Sequence, residues 1–140
     1  MRDRTPIQSL AALVGTVFLL VGVLGFIPGI TTHYGDLSFA GHDSGAKLLG
    51  IFQTSILLNL VHLAFGIGIL MAKTFEGART YLIGGGVVYL VVWLIGVIGG
   101  LDWLPVNTAD NWLHIALGVG MIALGFVAGS RRTAHGVAPA

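Results

Sequence analysis

The chain has 140 residues, of which 55% are hydrophobic and only 9% charged, with a mean hydropathy of +0.90 and a net charge of +1. This composition excludes a water-soluble enzyme, a nucleic-acid binder with a basic patch, and a disordered tail. With no Cys there is no disulfide, thiolate ligand or cysteine nucleophile.

The charged residues leave four gaps free of Asp, Glu, Lys and Arg, at 5–35, 48–72, 80–101 and 111–130. A helix rises about 1.5 Å per residue, so roughly 20 residues cross the ~30 Å hydrocarbon core, and each gap predicts one membrane-spanning helix. The first follows Arg2 and Arg4 but is too long for a secretory signal, with Thr5 as its cap and Pro6 in the first turn. The connection 28–47 carries His33, Asp36, His42 and Asp43, a mixture able to bind a divalent cation but too irregular in spacing to favour that over a solvated loop. Asp43 or Ser44 is the expected cap of a long second helix, with Gln53, Thr54 and Ser55 forming a polar turn near its outer entrance. Helix three runs to the glycines before Asp102. Helix four is expected to be capped by Asn107 or Thr108, with Asp110 complementing its dipole. Thr133 to Ala140 read as an unstructured tail.

Arg2, Arg4, Lys73, Arg79, Arg131 and Arg132 fall on one side of the four spans and only Lys47 on the other. The positive-inside rule then puts both termini in the cytoplasm and 28–47 and 101–110 outside, in a plasma (inner) membrane. Tyr34, Trp103 and Trp112 lie near the outer boundary and Tyr81 near the inner one, as expected of interfacial rings.

An internal similarity sets the expected architecture. Asn59-Leu-Val-His62-Leu-Ala64-Phe-Gly66-Ile-Gly68 recurs 52 residues later as Asn111-Trp-Leu-His114-Ile-Ala116-Leu-Gly118-Val-Gly120, with five identities. Helices one and three align at an offset of 71, pairing Gly15 with Gly86, Phe18 with Tyr89 and Gly25 with Gly96. The prediction is an all-α four-helix membrane bundle in one domain, built from two parallel hairpin repeats at about 7–73 and 78–130. Asn59, His62 and Gly66 share one helical stripe, as do Asn111, His114 and Gly118, and such stripes face protein rather than lipid.

Three uses of the stripe follow. His62 can bond Asn111 while His114 bonds Asn59, a reciprocal seam locking the repeats in an accessory or scaffold protein. Alternatively, His62 and His114 can bind a cofactor, haem b being the candidate, although Lys47 is the only outer cation to meet a propionate. A third reading is an outward polar pocket tuned by Asn59, Asn111 and Gln53. Zinc or copper on the same His pair is the weaker form of the cofactor alternative, since two His supply half a tetrahedral site and no intramembrane carboxylate completes it. No catalytic motif is present: the chain has no Gly-x-Ser-x-Gly, phosphate loop or His-Glu-x-x-His.

The stretches His42-Asp43-Ser44-Gly45-Ala46, Asn59-Leu-Val-His62-Leu and Pro105-Val-Asn107-Thr108-Ala-Asp110-Asn111-Trp112-Leu-His114 resemble a family of small four-helix membrane proteins, mainly actinobacterial, known as a domain of unknown function. The resemblance extends from about residue 7 to 130. It implies the fold and a bacterial membrane location, and no activity. Members often have a further His before the Asn of helix two, where this chain has Leu58. The expected protein is therefore non-enzymatic, with the lipid bilayer around it and a second copy or another membrane protein as its partner, and no nucleic acid.

Overall fold

The computed structural model describes residues 4–99 and 101–135, with side chains to residue 130. Arg2 of the charge count lies outside the described residues, as do the side chains of Arg131 and Arg132 and residues 136–140 of the tail. Five helical segments, α1 (Pro6–Leu24), α2 (Ile56–Phe65), α3 (Gly68–Met71), α4 (Phe75–Ile98) and α5 (Thr108–His135), form the bundle. α1, α4 and the stretch 108–130 of α5 are each long and apolar enough to cross a membrane. Exposed Leu, Val, Ile and Phe side chains cover their outer faces, as lipid-facing helices require.

α1 begins as its residues dictate. Pro6 occupies the first turn, and Gln8 Oε1 accepts from both the N–H (3.0 Å) and the hydroxyl (2.9 Å) of Thr5. The same Gln8 amide donates to the carbonyls of Ala72 and Lys73, tying the start of α1 to the end of α3. At the other end of the bundle, α5 opens with a reciprocal cap in which Asn107 Oδ1 accepts from Asp110 N–H (3.0 Å) and Asp110 Oδ2 from Asn107 N–H (2.8 Å). α5 continues to His135, so the first three residues expected in a loose tail are helical.

The second span departs from expectation. It does not start at Asp43 or Ser44; the apolar run from residue 47 instead makes β2 (Lys47–Leu48) and β3 (Phe52–Gln53), which join β1 (Thr31–Thr32) in an antiparallel sheet of order β1-β2-β3. The β2–β3 turn places Leu49 (φ 55) and Gly50 (φ 72) in the left-handed region, which glycine adopts freely and leucine only under constraint. Ser44 bonds within this cap, its Oγ donating to Thr54 O and accepting from Ser38 N–H. α2 starts only at Ile56, because Ser55 Oγ accepts from Leu58 N–H and the carbonyls of Ser38 and Phe39 take the N–H groups of Ile56 and Leu57. Its 10 residues are followed, after a break at Gly66 and Ile67, by the 4 of α3.

The long outer connection is stitched to the short one. Gln53 N–H donates to Asp110 Oδ2 (3.1 Å), Asn107 Nδ2 to Ile51 O (2.8 Å), and the N–H groups of Gly41 and His42 to the carbonyls of Trp103 and Asp102. Below this cap, α1 packs on α2 and α4 on α5, and α1 also meets α4. Gly86 and Gly118 bring α4 and α5 so close that a Cβ on either would run into the other's carbonyl oxygen. The buried core runs through Ile7, Ala11, Phe18, Tyr81, Leu82, Tyr89 and Met121. Tyr81, expected at the inner boundary, is part of it: its hydroxyl donates to Phe65 O (2.9 Å), the carbonyl left free where α2 ends.

Candidate functional site

The two imidazoles meet in the middle of the bundle through a row of rings. Phe18 of α1 lies 5.9 Å from His62 of α2, Tyr89 of α4 lies 5.2 Å from His114 of α5, and Phe18 and Tyr89 stack at 5.5 Å with 20° between their planes. Helix spacing places them there, since Asn59, His62 and Gly66 turn one face of α2 toward α1 and Asn111, His114 and Gly118 one face of α5 toward α4.

The amides lie one turn above. A Cβ on Gly25 would fall on the amide of Asn59, and one on Gly96 on that of Asn111. In the same way Leu19 fills the space beside Gly66, and Leu90 that beside Gly118. Asn59 is fully buried, and its Oδ1 accepts from Thr54 Oγ1 at 2.6 Å. Asn111 Oδ1 has no hydrogen-bond partner among the described residues.

The reciprocal pairing of each His with the opposite Asn does not form. Asn59 is held on α1 and Asn111 on α4, so each amide packs within its own hairpin instead of reaching across. Asn59 Nδ2, Asn111 Oδ1 and the Nδ1 atoms of His62 and His114 are consequently buried without a hydrogen-bond partner. A sealed, unpaired polar atom costs about 1–3 kcal/mol, and four within two adjacent turns call for an explanation.

Two clefts flank the rings. One, about 130 Å³, lies between α2 and α4 and is walled by Ser55, Leu58, Val61 and Trp103. The other, about 360 Å³, lies between α1 and α5 beneath the cap and is walled by Val17, Phe18, Phe52, Gln53, Asp110 and Leu117. His62, Tyr89 and His114 border both. Among the described residues the Nε2 atoms of the two imidazoles, the Tyr89 hydroxyl and Asp110 Oδ1 make no hydrogen bond, and unlike the Nδ1 atoms they are not sealed; all four belong to residues that line the larger cleft. Among the described residues, no Lys or Arg lines either cleft.

Of the residues singled out in the sequence, His62 and His114 therefore come together, and Gln53 lines the larger cleft. Asn59 and Asn111 stand behind the site as packing groups. His33, Asp36, His42 and Asp43 do not gather: no three His, Asp or Glu among the described residues are placed to hold a metal ion. Phe18 and Tyr89 were matched in the internal repeat without being marked as site residues; aromatic residues paired across the two repeats were the available signal. Asp110 reads from sequence as a charge that complements the dipole of α5, and its second role in the cleft depends on the outer connections folding over α5.

These features define a helical bundle with apolar spans and a central cluster of imidazoles and aromatic rings bordered by two apolar clefts. The chain belongs to the family described as Domain of unknown function (DUF4383), which it matches over residues 8–127. No curated protein and no solved structure matches it.

Proposed function

We propose that this is an integral membrane protein without chemistry of its own, which binds a lipophilic small molecule beside His62 and His114. The observation that carries this reading is the pair of imidazoles that have no hydrogen-bond partner and yet form the walls of two apolar clefts. Small-molecule sites are typically apolar hollows with a few convergent polar groups, as here. The scaffold reading rested on reciprocal His–Asn bonds and loses its main support without them. Haem b has less support than a neutral lipophile, because among the described residues no cationic side chain lines either cleft to meet its propionates.

The site rests on a duplicated hairpin. Four matched contacts support this: Gly25–Asn59 with Gly96–Asn111, Leu19–Gly66 with Leu90–Gly118, Phe18–His62 with Tyr89–His114, and the Ser55 cap with the Asn107 cap. The first three pairs keep the offsets of 71 and 52 found in the sequence, and the caps keep the offset of 52. The cap and its clefts face outward and both termini face the cytoplasm of a bacterial inner membrane, following the Lys and Arg distribution. The protein acts as a homo-oligomer or beside another membrane protein.

The test is a double variant, His62→Leu with His114→Leu, purified in detergent. In a binding site, apolar replacements relieve two unpaired buried nitrogens, so the thermal midpoint holds or rises while saturable lipophile binding is lost. In a structural seam, the midpoint falls. A Soret absorption band in the unaltered protein, absent from the variant, would favour haem instead.

A further inference from the structure

We propose that the cleft between α1 and α5 takes the ring of a quinone or quinol, with its tail left in the bilayer. This inference rests on the lipophile-binding reading above and names the ligand class. The first argument is access: Leu13, Val17 and Leu113 line the cleft and are also exposed on the outer surfaces of α1 and α5. The cleft therefore opens sideways into the hydrocarbon layer, and a molecule using that mouth can carry a long apolar tail.

The second argument is the chemistry of the inner wall. Phe18, Tyr89 and Phe52 offer flat apolar surface to a ring. Around them stand His62, His114, Tyr89 and Asp110, whose Nε2 atoms, hydroxyl and Oδ1 have no hydrogen-bond partner among the described residues. His114, Tyr89 and Asp110 are 5%, 7% and 4% exposed, so bulk water does not serve them. A quinone offers only acceptors and needs donors, which Tyr89 and neutral imidazoles supply. A quinol offers hydroxyl donors and needs acceptors, which Asp110 Oδ1 and imidazole nitrogen supply. The wall serves a quinone with the imidazole proton on Nε2 and a quinol with it on Nδ1, a change of tautomer that needs no movement of the side chains. A hydrocarbon would leave every one of these groups unpaired.

The third argument selects the cleft. At the offset of 52, the position of Asp110 corresponds to Leu58, so the smaller cleft between α2 and α4 has leucine where the larger one also has a carboxylate. Only the larger cleft combines the rings, the imidazoles and an acidic acceptor.

The test is binding of decylubiquinone to the purified full-length chain in lipid nanodiscs, by calorimetry, beside decylbenzene and dodecylammonium as probes with similar tails. The expected result is one saturable site per chain for decylubiquinone, at least tenfold tighter than for either comparison probe. Tyr89→Phe keeps the ring and removes only the hydroxyl; it should weaken binding about three- to tenfold. Val17→Trp, which fills the mouth from the lipid side, should abolish binding with the thermal midpoint retained. Equal binding of decylubiquinone and decylbenzene, or tighter binding of dodecylammonium, would overturn the quinone assignment and leave the lipophile site standing. Unchanged binding in Val17→Trp would overturn the choice of cleft. No saturable binding of any probe would overturn this inference and the reading beneath it together.

Discussion

Gly25→Ala probes the packing that holds the site in place. Gly25 has φ −61 and ψ −21, an ordinary right-handed helical conformation, so alanine meets no backbone penalty there and any cost is steric. A Cβ at Gly25 would fall on the Asn59 amide, with Oδ1, Cγ and Nδ2 all too close to tolerate it. The amide is fully buried and cannot rotate away without breaking its bond from Thr54 Oγ1. Overpacking of this kind costs about 1–3 kcal/mol, and the lost hydrogen bond about 1 kcal/mol more, for a total of about 2–4 kcal/mol. Gly84→Ala is the matched reference: Gly84 sits inside α4 with nothing near the position of a Cβ, and alanine there should stabilise by about 0.5–1 kcal/mol. Thermal unfolding of both variants in the same detergent should move in opposite directions. A Gly25→Ala midpoint equal to or above that of Gly84→Ala would refute the contact and the placement of Asn59 against α1.

Asp110→Asn removes a charged acceptor from two backbone N–H groups and should destabilise by about 1–3 kcal/mol, with faster hydrogen exchange at the Gln53 amide as the local readout. Tyr81→Phe leaves the Phe65 carbonyl without its donor and should lower stability by about 1 kcal/mol in chemical denaturation. Because the chain lacks cysteine, single Phe39→Cys and Lys73→Cys variants can report topology. In intact cells, a membrane-impermeant maleimide should label the first and spare the second; labelling of Lys73→Cys alone would reverse the orientation.

The long helices were legible because continuous apolar runs between charges carry length, the property a bilayer selects. The caps at Thr5 and Asn107 were legible because capping chemistry is local. The run from Leu48 to Gln53 misled for the same reason. Hydropathy registers that it is apolar, but not that a left-handed turn at Leu49 and Gly50 folds it into a sheet that closes over the bundle. Periodicity puts the His and Asn stripe on one face of each helix, but it does not fix which neighbour that face meets. The partners were decided by Gly25 and Gly96, whose missing side chains let each amide settle on its own neighbour. That choice left the imidazoles unpaired and turned an expected seam into the wall of a cleft.

One difference between the two hairpins sharpens this account. At the offset of 52, Thr54 corresponds to Val106, so Asn59 has a hydroxyl donor where Asn111 has a methyl group. Val106 Cγ2 and Asn111 Oδ1 both crowd the position a Cβ would take on Gly96, which places Val106 in the same neighbourhood as the unpaired oxygen. Val106→Thr changes little in volume and brings a donor to that oxygen, as Thr54 does on the other side. A new hydrogen bond to an already buried acceptor should add about 0.5–1.5 kcal/mol, read as a higher thermal midpoint. Repeating the change on an Asn111→Leu background removes the acceptor, so the gain should vanish there and the threonine should cost stability instead. A gain that persists without Asn111 would mean the hydroxyl bonds elsewhere. No gain in either background would mean that the two amides do not occupy equivalent surroundings, and the argument from a duplicated hairpin would lose one of its four contacts.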